Sequence, residues 1–134
     1  MSHKVLIIGD DPEFAGAKMN LLDAQGYKVD SAPNGKVGIA KAGEQKPDII
    51  LLDVTTTRKS EYFDVARKLN KDKNLKNIPV IIVTDVKKEA SLPFGFETSD
   101  AWLPVKGVLE KPVKSSVLLK TVAQCIADNG RIRK

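Results

Sequence analysis

Three uninterrupted apolar runs rich in β-branched residues punctuate the chain, at residues 5–8, 49–52 and 80–83. None of them alternates apolar and polar residues, as a strand with one face in water would. Such runs are typical of strands that are covered on both faces in a parallel sheet. Two weaker runs, at residues 27–30 and 107–110, complete a set of five predicted strands.

The first interval between strands has the period of a helix. Asp11 can cap this helix, Pro12 suits its first position and Gly26 is predicted to end it. Helical spacing predicts one inward-facing stripe on it, made of Phe14, Ala17, Leu21 and Ala24.

Three further helices are predicted: a short one that follows the Asn34-Gly35 turn and contains residues 37, 39 and 40, and two more at about residues 62–70 and 115–128. Gly43 and Pro47 are expected to end the second helix and Gly130 the last one. Residues 63, 66 and 69 form the inward stripe of the third helix, and residues 117, 118, 122, 125 and 126 that of the last.

Residues 85–106 contain Pro93, Gly95 and Pro104, so this segment is predicted to be irregular where another regular helix would complete the alternation. Strands and helices otherwise alternate along the chain. With right-handed crossovers, this order predicts an α/β fold with a doubly wound open parallel sheet. The 134 residues are expected to form a single domain, 1–134, with a core at 4–128 and a short basic tail at 129–134.

Composition excludes several classes of protein. With 42% hydrophobic residues the chain can form a core, and its longest wholly apolar run falls far short of the ~20 residues of a membrane span. No signal peptide is visible, so a soluble, cytoplasmic protein is expected. A single cysteine, Cys125, and a single histidine, His3, exclude internal disulfides and the usual zinc sites.

The charge is unevenly distributed along the chain. Residues 1–67 carry 9 basic and 10 acidic side chains, whereas residues 68–134 carry 13 and 7. The basic excess includes several lysines between residues 68 and 76, but no aromatic residue is interleaved to stack on bases. Nucleic-acid binding is therefore not expected.

Polar side chains follow four of the five predicted strands, at the ends where ligands bind in open α/β sheets. They are Asp10, Asp11, Asp53, Thr84 and Lys111. Clustered carboxylates repel one another unless a cation lies among them, and an all-oxygen donor set favours Mg²⁺. Asp53 ends a central strand and is the best candidate nucleophile, so the set predicts phosphoryl transfer to a carboxylate.

The same residues resemble the receiver domain of two-component response regulators, the CheY-like family. The matching segments are KVLIIGDD at 4–11, PDIILLD at 47–53, IPVIIVT at 78–84 and EKP at 110–112. The resemblance covers nearly the whole chain and implies a flavodoxin-like fold of five strands in the order 2-1-3-4-5.

The resemblance also implies roles for individual residues. Asp53 would be phosphorylated, and Thr84 and Lys111 would bind the phosphoryl group. Mg²⁺ would be held by Asp10, Asp11, Asp53 and the backbone carbonyl of Thr55. A cis peptide bond would join Lys111 to Pro112.

Three features depart from the family pattern. Residues 54–60 lack the usual Met-Pro and the following Gly, Asp85 replaces a small residue, and Val108 replaces a Tyr or Phe. The charge of Asp85 would repel a phosphoryl group unless it points away or pairs with a lysine. Output is therefore predicted to depend on residues 85–106, which contain Phe94, Phe96 and Trp102, although local packing also accounts for these rings.

The leading hypothesis is a stand-alone, atypical receiver that accepts a phosphoryl group on Asp53 and is not an enzyme in its own right. Its expected partners are a sensor histidine kinase or phosphotransfer protein and an output protein, and a weak homodimer is compatible with it. The alternative is a degenerate receiver that binds a partner without phosphorylation. A phosphatase with an aspartyl nucleophile ranks below both, because Thr55 stands where its general acid would be.

Overall fold

The computed structural model describes residues 3–54, 59–85 and 105–132. Five strands and four helices lie in these ranges. In chain order they are β1 (Lys4–Ile8), α1 (Pro12–Ala24), β2 (Lys28–Ala32), α2 (Gly35–Gln45), β3 (Ile49–Val54), α3 (Lys59–Lys71), β4 (Val80–Thr84), β5 (Gly107–Glu110) and α4 (Ser115–Ile132).

All neighbouring strands pair in parallel, in the order β2-β1-β3-β4-β5. The doubly wound α/β sheet and its flavodoxin-like order are therefore confirmed. Every strand end lies within two residues of its predicted position. Strand β2 begins one residue later and ends two residues later than predicted.

Alternate residues of the buried strands face two separate hydrophobic clusters. Leu6 and Ile50 belong to the cluster that α2 and α3 cover, whereas Val5 and Ile49 belong to the cluster that α1 and α4 cover. Because each strand is covered on both sides, it needs no polar alternation. This explains the uninterrupted apolar runs in the sequence.

The ends of two helices differ from the sequence prediction. Helix α2 continues through Gly43 to Gln45, and Lys46 follows it in the left-handed conformation with φ of 49°. Pro47 comes next, and a proline disfavours helical geometry in the residue before it. Helix α4 likewise continues through Gly130 to Ile132.

The inward stripe predicted for α1 is also partly wrong. Leu22 is its buried residue, and Met19 and Ala15 pack in the same cluster one and two turns earlier, while Ala17 and Ala24 are exposed. The register of the stripe is therefore rotated around the helix.

The stripes of two other helices can also be compared with prediction. On α3 the predicted stripe at residues 63, 66 and 69 is confirmed as buried. On α4, Val117 is predicted to face inward but is 43% exposed.

Several sequence predictions fall on residues 55–58 and 86–104, which lie outside the described residues. These include the backbone ligand Thr55, the irregular segment and its three aromatic residues, Phe94, Phe96 and Trp102. They stay predictions. Among the described residues, no helix is both long enough and apolar enough to span a membrane.

Candidate functional site

Asp53 is the penultimate residue of β3, and its side chain is only 1% exposed. It pairs with Val83 of β4 in the sheet register, which places it at the carboxyl ends of the central strands. A carboxylate in such a position is held rigidly by the sheet, because the backbone on both sides is hydrogen-bonded into the ladder. The strand therefore fixes where this group can meet a ligand.

Lys111 provides the cation that faces this carboxylate. Its Nζ lies 2.6 Å from Oδ1 of Asp53, and the lysine side chain is 19% exposed. Oδ2 of Asp53 has no hydrogen-bond partner among the described residues. One oxygen thus forms an ion pair, while the other is buried and receives no hydrogen bond from the described residues.

The pKa of Asp53 is raised above its ordinary value of 3.8. Burial is the largest cause, because desolvation disfavours the charged form, and the Lys111 ammonium opposes it. The negative charges of Asp11 and Asp10 raise the pKa further. The two acids that follow β1 are therefore close enough to act on Asp53 electrostatically.

Asp11 has a structural role in addition to its charge. It is the N-cap of α1, where its side chain accepts hydrogen bonds from the backbone N–H groups of Glu13 at 3.1 Å and Phe14 at 3.2 Å. Asp10 before it is exposed. In the described ranges no three carboxylate, histidine or cysteine side chains are arranged to hold a metal ion, so the Mg²⁺ ligand set stays a prediction.

Thr84 ends β4 and is 1% exposed. Its backbone carbonyl accepts a hydrogen bond of 2.7 Å from the N–H of Lys111. This bond extends the β4–β5 pairing by one residue and carries Lys111 to the site. The peptide bond between Lys111 and Pro112 is cis, as the resemblance implies.

Two contributors to the site were not predicted from the sequence. A Cβ atom at Gly9 would lie 2.7 Å from Cβ of Asp53, so only glycine leaves room for this carboxylate. The ring of Phe14 lies beneath the Lys111 ammonium, with 4.2 Å between Nζ and the ring centroid. Strand alignment could have found Gly9, since it follows β1 in register with Asp53.

Two of the residues that depart from the receiver-domain pattern, Asp85 and Val108, lie in the described part of the structure. Asp85 directly follows β4 and is exposed. Val108 pairs with Ile82 of β4 and packs, partly buried, against the cluster under α2 and α3. An aliphatic side chain that is packed in this way has no polar tip to move between core and surface.

Comparison with known proteins identifies the family. The profile of the response regulator receiver domain matches residues 5–123. Protein PilH of Pseudomonas aeruginosa strain PAO1 is 33% identical over 124 residues, which are 92% of this chain and 98% of PilH. Two other relatives, each 30% identical, are longer proteins. The chain spans 51% of the DNA-binding transcriptional regulator RpaA of Synechocystis and 26% of the response regulator PleD of Caulobacter vibrioides.

Two solved structures illustrate the similarity of fold. The chemotaxis protein CheY4 of Vibrio cholerae has a TM-score of 0.75 at 24% identity, over 93% of this chain and 99% of CheY4. The receiver domain of the sensor histidine kinase PA1611 of Pseudomonas aeruginosa PAO1 has a TM-score of 0.78 at 19% identity, over 95% of this chain and 99% of that domain. The latter structure contains a magnesium ion in its active site cleft. Together with the buried aspartate–lysine pair at the strand ends, the profile match and the similarity to PilH show that the chain belongs to the response regulator receiver domain family.

Proposed function

We propose that this receiver accepts a phosphoryl group on Asp53, in a reaction that uses Mg²⁺. One observation carries the proposal: Asp53 is a buried carboxylate with Lys111 at 2.6 Å on one oxygen and no hydrogen-bond partner on the other within the described residues. An oxygen that is already fully hydrogen-bonded is a poor nucleophile. As far as the described residues are concerned, Oδ2 of Asp53 is available for bond formation.

In the proposed reaction, a carboxylate oxygen of Asp53 attacks the phosphorus atom of a phosphohistidine in a partner protein. The new oxygen–phosphorus bond forms as the phosphorus–nitrogen bond breaks, and the electron pair of that bond leaves with the imidazole. Lys111 neutralises part of the charge on the product, and the Thr84 hydroxyl can donate to a phosphoryl oxygen. The protein thus contributes position and charge, as phosphoryl transfer requires.

The residues around Asp53 suit a divalent cation by their chemistry. The carboxylates of Asp10, Asp11 and Asp53 are hard oxygen donors, and the charges of Asp11 and Asp10 lie close enough to raise the pKa of Asp53, a repulsion that a cation among them would relieve. We propose that these three residues and the Thr55 carbonyl hold Mg²⁺, which would neutralise negative charge on the transferred group. The magnesium ion in the related PA1611 receiver supports this assignment.

The family membership also indicates the kind of partner. The phosphoryl donor is proposed to be a sensor histidine kinase or a phosphotransfer protein, and the signal would pass to an output protein. Phosphorylation adds close to two negative charges, which would draw Lys111 and Thr84 towards the new group. A change of this size at a strand end can alter the neighbouring surface that a partner recognises.

Incubation with acetyl phosphate and Mg²⁺, followed by intact mass measurement, tests the proposal. We expect a mass gain of one phosphoryl group, which is absent in Asp53→Asn and in EDTA. Asp64→Asn is the matched control, because Asp64 is an exposed carboxylate that pairs with Arg67 on α3. No gain at saturating donor, or an equal gain in Asp53→Asn, would contradict phosphorylation at this residue.

A degenerate receiver that binds its partner without phosphorylation is the second candidate. Val108 favours it, because this position packs against the core and carries no ring or hydroxyl group that could respond to Thr84. The two candidates differ in a partner-binding experiment. Binding that is unchanged between wild type and Asp53→Asn, with or without acetyl phosphate, would support the degenerate receiver.

A further inference from the structure

We propose that Phe14 is a positioning residue whose ring holds the Lys111 ammonium against Asp53, an inference that rests on the proposed phosphorylation of Asp53. Lys111 contacts both groups at once. Its Nζ lies 2.6 Å from Oδ1 of Asp53 and 4.2 Å from the centroid of the Phe14 ring. A cation within ~6 Å of a ring centroid is attracted by the negative face of the ring.

The position of the Phe14 ring is itself fixed by the start of α1. The backbone N–H of Phe14 donates to the capping carboxylate of Asp11 at 3.2 Å, and Pro12 restricts the backbone at the first helical position. The start of α1 therefore places both the charge of Asp11, which acts on Asp53, and the ring of Phe14, which contacts Lys111. Phe14 thus lies on a rigid element and does not depend on a loop for its orientation.

Among the side chains of the site, that of Lys111 gains most from a second contact that fixes its position. Its long, flexible stem loses considerable rotational freedom when the ammonium is held at one point. Lys111 is 19% exposed, so water screens its contacts only in part, and a partly desolvated cation gains more from a ring. The ring and the carboxylate together hold the ammonium where a phosphoryl oxygen would bind.

A second ammonium group provides an internal comparison. Nζ of Lys18 lies 5.4 Å from the centroid of the same Phe14 ring, one helical turn further along α1. Only Lys111 also contacts Asp53, so the role proposed for Phe14 acts through Lys111. Removing the charge of Lys18 should leave phosphorylation unchanged.

The test compares the phosphorylation rates of Phe14→Leu and Phe14→Tyr with that of wild type, with acetyl phosphate and Mg²⁺ as donor and metal. Leucine keeps apolar bulk without a ring, whereas tyrosine keeps the ring. We expect the rate to fall about two- to fivefold in Phe14→Leu, as the loss of one cation–ring contact implies, and to stay near wild type in Phe14→Tyr. Lys18→Met and Tyr27→Leu are matched controls, Tyr27 being another half-buried aromatic residue that packs beside α1.

A second measurement tests the contact in the unphosphorylated protein. The ring current of Phe14 should move the NMR signals of the Lys111 side-chain methylene next to Nζ upfield, and these signals are assigned by their loss in Lys111→Met. The upfield shift should persist in Phe14→Tyr and disappear in Phe14→Leu. This readout remains informative if Phe14→Leu lowers stability, because it is measured in the wild type as well.

The possible failures are distinguishable. A phosphorylated wild type with an unchanged rate in Phe14→Leu, or equal losses in the leucine and tyrosine variants, would overturn the role of Phe14 alone. Absence of the upfield shift in wild type would overturn the contact itself. A wild type that takes up no phosphoryl group would instead overturn the proposed function, and the positioning role would fall with it.

Discussion

Asp30 and Asp53 are carboxylates of the same parallel sheet, yet their surroundings are opposite. Asp30 on β2 accepts hydrogen bonds from Gln45 at 2.7 Å, from the backbone N–H of Ser31 at 2.8 Å and from Lys41 at 3.2 Å. Its side chain is 40% exposed, and its pKa is lowered, chiefly by the hydrogen bond from Gln45. Asp53 is 1% exposed, faces one cation and has a raised pKa.

The comparison shows how one residue type is used for structure or for reaction. Asp30 ties β2 to α2 with donors on both oxygens, so its charge is satisfied and unreactive. Asp53 retains an oxygen without a donor in the described part of the chain, and burial raises the free energy of its charged form. A bond to phosphorus or to a cation would relieve that cost at Asp53, whereas at Asp30 the hydrogen bonds and Lys41 already outweigh the cost of burial.

The largest effect is expected from Gly9→Ala, because the added methyl group would collide with the side chain of Asp53. The new methyl would approach Cβ of Asp53 to 2.7 Å, and neither strand can move aside easily. We expect a loss of about 1–3 kcal/mol in the free energy of unfolding, measured by urea denaturation, and slower phosphorylation.

Gly16→Ala is the matched control for this substitution. Nothing lies within 4 Å of a Cβ at Gly16, which is inside α1. Alanine there should stabilise the protein by ~0.5–1 kcal/mol, because it restricts the unfolded chain and favours helix. Equal stability of the Gly9 variant and wild type would show that β1 and β3 can separate without loss.

Asp53→Asn should have the next largest effect, and it should stabilise the protein in EDTA at neutral pH. Because folding raises the pKa of Asp53, protonation of this group favours the folded state. This contribution is complete below pH 3.8, the ordinary pKa, and is lost as the pH rises through the raised pKa. Removing the charge should therefore add on the order of 1 kcal/mol at pH 7, and the gain should narrow as the pH is lowered towards 3.8. Thermal denaturation over this pH range measures it. A destabilised variant at pH 7 would mean that the Lys111 ion pair outweighs the burial of the charge.

Asp30→Asn should have the smallest effect, with the opposite sign. A lowered pKa means that the charged form stabilises the fold above 3.8 and that this contribution is lost as the pH falls through the lowered value. Because the side chain is 40% exposed, the loss at pH 7 should be only ~0.5 kcal/mol. Thermal denaturation of Asp30→Asn over the same pH range measures this loss. If the stability of Asp30→Asn and Asp53→Asn changed with pH in the same direction, the distinction between the two carboxylates would be refuted.

The fold could be predicted from the sequence because burial on both faces leaves a simple pattern. The runs at residues 5–8, 49–52 and 80–83 are short, rich in β-branched residues and bounded by polar or turn residues, which favours buried strands. Helix ends were harder to predict. Gly43 and Pro47 are both predicted to end α2, but the helix passes through Gly43, where a side chain would meet open space, and ends just before Pro47.

Sequence spacing placed Asp53 and Lys111 at one edge of the sheet, and they form an ion pair there. It did not predict the roles of Gly9 and Phe14, because each depends on a contact between elements distant in sequence. Helical spacing predicts that Phe14 lies in an inward stripe, but its half-buried ring faces the Lys111 ammonium. A periodicity argument separates buried from exposed faces and does not identify which neighbour a ring meets.

The polar sequence of β2 has a consequence for how copies of this chain can meet. This strand forms one border of the sheet and carries Lys28 and Asp30, and Asp30 is already tied to α2. A strand from a second molecule that paired there would have to desolvate both charges and disturb that tie. Charged border strands disfavour such continuation of a sheet. The protein should therefore resist the growth of fibres from the β2 border.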